Sequence, residues 1–98
     1  MSENTDAILS KWMSLVRAYH EAREELVAAE TAAARASWRC SANPTSLEMM
    51  RKRRAEAERA TETLILADRA MMAAESEMEM FEELHHSVIA AHRANDEE

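Results

Sequence analysis

Glycine is absent from the chain, and proline occurs once, as Pro44. Without glycine there is no phosphate-cradling loop, no dinucleotide fingerprint and no nucleophile elbow, since each needs backbone conformations that glycine supplies. The usual breaks in regular structure are also missing, so helix can run unbroken on either side of residues 41–45. The lone cysteine, Cys40, excludes an internal disulfide and fits a reducing compartment. Aromatic residues are confined to Trp12, Tyr19, Trp38 and Phe81, and β-branched residues never alternate over a strand-length run, so no strand is expected. Nowhere do about 18 uncharged apolar residues follow one another, as a membrane span would need. The polar, acidic start, Met1 to Asp6, lacks the basic and then apolar pattern of a signal peptide. The expectation is a soluble, cytoplasmic protein with no membrane partner.

What is present favours helix. Ala, Glu, Arg, Leu and Met dominate the 98 residues, all good helix formers. Apolar positions recur in steps of three and four along Thr5, Ile8, Trp12, Leu15, Tyr19, Ala22, Leu26, Ala29, Ala33, Ala36 and Cys40. A second seam runs Met50, Arg53, Ala57, Ala60, Leu64, Ala67, Met71, Ala74, Met78, Phe81, His85, Val88 and His92. Periodicity of 3.5 residues sustained this far is the signature of coiled-coil packing. The chain therefore reads as one all-α domain, residues 1–98. It is an antiparallel two-helix hairpin with a first helix over about 5–40, a turn at 41–45 and a second helix over about 46–95. Thr5 with Asp6 offers a start for the first helix, and Thr45 with Glu48 has capping-box spacing for the second.

Folding about Asn43 would set Ala29 and Ala33 against Ala57 and its neighbours, Leu15 against Met71, and Trp12 against Ala74. At ~1.5 Å per residue the first helix spans about 50 Å and the second about 75 Å, which leaves the second without a partner after roughly Phe81. That tail nonetheless carries Leu84, Val88 and Ile89. Further stripes lie beside the seams: Leu9, Met13 and Val16 on the first helix, and Leu66, Ala70, Ala73, Met80, Leu84 and Ala91 on the second. Helices with such wide apolar faces need more than one neighbour. A homodimer forming a four-helix bundle is expected, with Ile8, Trp12, Leu15, Tyr19, Phe81, Leu84, Val88 and Ile89 at the dimer interface. The rival expectation is a hairpin whose stripes another protein covers.

Charge is unevenly placed. Residues 35–59 hold seven basic and three acidic side chains, a net of +4, while the remainder holds five basic and sixteen acidic, a net of −11; the chain total is −7. The cluster Arg51-Lys52-Arg53-Arg54 opens the second helix, where cations oppose the helix dipole. Trp38, Arg51, Arg53 and Arg54 are the partner-binding candidates, for an acidic protein surface or a phosphate. A solvated, salt-bridged face is the plainer reading. Duplex DNA is less suited, because the acidic remainder would repel it. The run Glu75, Glu77, Glu79, Glu82, Glu83 is read chiefly as a solubilising face.

No catalytic, cofactor-binding or metal residue is expected. Glu82 and His85 have the Glu-x-x-His spacing of di-metal bundles, but the first helix offers no facing glutamates. His85 and His92 fall on the seam, where protonation would make association sensitive to pH. Cys40 has arginine neighbours but no evident base, so it is a poor nucleophile. Met72 and Met80 lie off the seam and suit an adaptable interface.

In size and hairpin plan the chain resembles small secreted hairpins of the WXG100 type. Its nearest counterpart to their Trp-x-Gly turn, Trp38-Arg39-Cys40, lacks the glycine and precedes the turn, and the fourth residue after Phe81 is His85 rather than an acid, so membership does not follow. In size, helicity and acidity it also resembles small phage-encoded inhibitors and secretion chaperones, a likeness without a motif. The function expected is that of a non-catalytic protein-binding module, an inhibitor, adaptor or chaperone that modulates another macromolecule. Nucleic-acid binding through the basic tip and a purely structural dimeric spacer are the alternatives.

Overall fold

The computed structural model describes residues 2–42 and 46–97. These form three helices and no strand: α1 (Ser2–Ser41), α2 (Leu47–Leu84) and α3 (His86–Glu97). No described residue has a positive φ, in keeping with a chain that has no glycine to place there. The expected turn at 41–45 falls partly outside the described residues, as do Asn43, Pro44 and Thr45. At the α2 start the Ser46 Oγ accepts the Met49 amide at 3.1 Å. Thr5 does not open α1. It lies within it, and Glu3 is the acidic residue of the first turn.

The residues cluster into two compact units: a turn unit, residues 22–71, and an end unit, which joins the residues up to 21 with those from 72 onward. In the turn unit the second half of α1 packs on the first part of α2. Here Ala22, Leu26, Ala29, Ala33 and Ala36 are buried or half-buried, as are Arg53, Ala57, Ala60, Leu64, Ala67 and Met71. In the end unit Ile8, Trp12, Leu15 and Tyr19 of α1 are similarly covered, as are Ala74, Met78 and Phe81 of α2 and Val88 and His92 of α3. Both seams therefore face inward as spaced, except at Thr5, Cys40 and Met50, which are exposed. The core is thin. Among the described residues only Leu15, Ala29, Ala36 and Ile89 are buried.

The pairing differs from a fold about Asn43. Trp12 meets Glu82 of α2 rather than Ala74, and Ala29 shares a groove with Ala67 rather than lying near Ala57. The slide amounts to roughly two helical turns. In this register the Arg53 guanidinium reaches the α1 C-terminus, where it donates to the Arg39 carbonyl at 3.3 Å and the Ala42 carbonyl at 3.4 Å. The Arg39 carbonyl also accepts the Ala42 amide at 3.3 Å, so Arg53 adds to a terminus that the backbone satisfies in part. A cation there also favours the helix dipole. The first turn of α2 therefore lies outside the α1 pairing, which leaves Leu47, Met49 and Met50 exposed. Arg53→Ala should cost about 1 kcal/mol, read as a lower urea midpoint, because it removes a charged donor to these carbonyls.

Within the end unit the tail has the partner that it was expected to lack. Residues 86–97 pack on the start of α1, and Ile89, only 2 % exposed, is the most deeply buried side chain described. The helix is interrupted at His85 alone. The His85 amide still donates to the Phe81 carbonyl and the Ile89 amide to the His85 carbonyl. Glu82 and Arg93, eleven residues apart, nonetheless meet at 2.7 Å. In a straight helix their Cα atoms would be about 16 Å apart, more than the two side chains span. The axis must therefore change direction at His85.

Candidate interaction surfaces

The end unit is closed by a polar knot. The Trp12 indole N–H donates to Glu82 Oε2 at 2.9 Å, and Arg93 Nη2 donates to the same oxygen at 2.7 Å. The Arg93 guanidinium lies over the Trp12 ring, 5.2 Å from its centroid. His92 meets that ring edge-on at 5.9 Å, and its Nε2 lies 3.4 Å from Asp96. One carboxylate thus ties α1, α2 and α3 together. Glu82 and His85 do not converge on a common point: Glu82 is engaged as described, and His85 lies against Phe81. Among the described residues, no three metal-ligating side chains come together. This knot was not foreseen in the sequence, since Trp12 and Glu82 are 70 residues apart and no motif links them.

Of the residues expected at a dimer interface, Ile89 and Leu15 are buried within the chain, and Ile8, Trp12, Tyr19, Phe81 and Val88 are half-buried there. Leu84 alone is open, at 77 % exposure. It belongs to a stripe on α2 that also exposes Leu66 and Met80. Met72, on another face of α2, is exposed too. Leu9 and Val16 are half-buried and Met13 is exposed.

Of the four partner-binding candidates, Arg53 turns inward to cap α1, whereas Arg51, Arg54 and Trp38 are exposed, Trp38 at 73 %. Lys52, Arg35, Arg39 and Arg59 are exposed as well. The basic cluster is thus partly explained by fold: one member stabilises the neighbouring helix end, and the others face solvent. Cys40 is exposed.

The turn unit also carries an open apolar groove between α1 and α2. Ala29 and Ala67 floor it, with Ala28 and Ala32 on one side and Leu66 and Ala70 on the other. No described helix is long and apolar enough to cross a membrane. Comparison with protein-family models, curated proteins and solved structures finds no match.

Proposed function

We propose that the chain is a non-catalytic protein-binding module, which self-associates into a four-helix bundle and engages and modulates another macromolecule in the cytoplasm. One observation carries this reading. The chain exposes 7713 Å², where a folded monomer of its 11.1 kDa would expose about 5,700 Å². Part of that excess is apolar, at Leu66, Met80, Leu84 and Trp38. Separate exposed apolar side chains are ordinary. A stripe of them on a molecule with so small a core is better suited to being covered.

The basic tip is the surface proposed for the other macromolecule. Arg51→Glu with Arg54→Glu reverses two exposed charges and spares Arg53. Affinity capture with the wild-type chain should retain a defined protein that this variant loses by tenfold or more. Equal retention would remove the tip from the binding surface, and a two-chain protein that retains nothing would be a structural spacer. The exposed arginines and lysine also favour a second reading, nucleic-acid binding. That reading requires oligonucleotide affinity that falls steeply with salt.

A further inference from the structure

The geometry points to the alanine groove of the turn unit as the contact between two copies of this chain, packed face to face about a two-fold axis perpendicular to the helices. In this arrangement α1 lies antiparallel on α1 of the other copy, and α2 on α2. The inference deepens the self-association proposed above and rests on it.

Three observations select this occupant. The first is the order of charge on α1. Glu25, Ala28, Ala32 and Arg35 follow one another in helical steps on one face and are all exposed. Reversed upon itself about residue 30, this stripe sets Glu25 against Arg35 and Ala28 against Ala32, with two copies of each pairing. The second is α2, where Leu66 is exposed beside the groove and sits between Thr63 and Ala70. Reversed about Leu66, this face brings the two Leu66 side chains together and sets Thr63 near Ala70. The two centres of reversal coincide, because the groove places Ala29 and Ala32 of α1 across from Thr63 and Leu66 of α2. A single axis therefore satisfies both helices. An axis along the helices would lay α1 over α2 of the other copy, bringing Arg35 towards Arg59 and losing these pairings.

The third observation is area. A stable interface takes about 800 Å² from each partner, well within the surface this chain exposes beyond that of a globular monomer of its mass. The alanines let the helices approach closely, and Leu66 beside the groove supplies a knob for the facing copy. The charge pairs fix orientation and register more than they add affinity. The contact is isologous, as a closed dimer requires.

The test is solution mass by light scattering over a concentration series, with cross-linking in a Cys40→Ser background. The wild-type chain should run at twice its chain mass. Glu25→Arg and Arg35→Glu should each weaken association by about tenfold or more, since each sets like charges together at two places. The double variant Glu25→Arg/Arg35→Glu restores opposite charges and should recover the two-chain mass. Leu66→Cys should oxidise to a covalent dimer, and Leu84→Cys should not. Helix content by circular dichroism should be the same in every variant, because all these side chains are exposed. A two-chain protein that ignores both charge reversals and cross-links at residue 84 rather than 66 would overturn this interface and leave self-association standing. A wild-type chain of single mass at all concentrations would overturn both.

Discussion

Ile89→Ala should cost about 2–4 kcal/mol, the range for truncating a large aliphatic side chain in a packed site. Among the described residues, Ile89 is the most deeply buried side chain and the only buried one outside α1. It lies in α3, whose 12 residues are too few to hold a helix in water without packing. Removing its anchor should therefore loosen α3 as well as leave a void. The expected signature is a lower urea midpoint together with a helix signal reduced by about the share of that segment. Leu84→Ala is the matched control. It truncates an equally large side chain only five residues away, but one that is 77 % exposed, and should stay within about 0.5 kcal/mol of wild type. An Ile89→Ala variant as stable as Leu84→Ala would show that the tail does not depend on its contact with α1.

Trp12→Ala should be comparably damaging, at about 2–4 kcal/mol, slightly below the usual range for a fully buried aromatic because Trp12 is only half-buried. The truncation removes ring contacts with His92 and Arg93 together with the indole donor to Glu82. Trp12→Phe separates these effects. It keeps an aromatic face for Arg93 and deletes the N–H, and should cost about 1 kcal/mol, near the worth of one hydrogen bond. The Arg93–Glu82 pair adds little by itself, since Arg93 is more than half exposed. A double-mutant cycle between Trp12→Phe and Glu82→Gln, read by urea denaturation, should give a coupling of about 0.5 kcal/mol or more. Additive effects would mean that the indole and the carboxylate do not act on each other.

The seams were legible because each is a one-dimensional pattern. From Ile8 to Ala36 and from Arg53 to His92, the spacing alone identifies the inward-facing side of each helix. Register was not legible, for a physical reason. Around the turn the seam positions are largely alanines, and alanine packs against alanine almost equally well when one helix slides past the other by a heptad. A side chain that reaches a helix end, as Arg53 reaches the Arg39 and Ala42 carbonyls, favours one offset over another, and composition gives no hint of that. A fold about Asn43 leaves the tail without a partner, whereas α3 packs on the start of α1, with Ile89 buried and Val88 half-buried there. The basic tip was visible as charge. That Arg53 differs from Arg51 and Arg54 required the neighbouring helix.

The interactions of the two units also differ in how far along the chain they reach. Arg53 and Arg39 are 14 residues apart, whereas Trp12 and Glu82 are 70 apart. Closing a loop five times longer costs about 1.4 kcal/mol more in chain entropy. The long-range knot is therefore expensive to form first and cheap to add once the helices are already paired near the turn. Folding should begin around the turn and zip outward, with Trp12, Glu82 and Arg93 meeting late. Substitutions at Arg53 would then act mainly on the rate of folding, and those at Trp12 and Ile89 mainly on the rate of unfolding. The end unit, with its single carboxylate joining three helices, becomes the latch that sets how long a folded molecule stays folded.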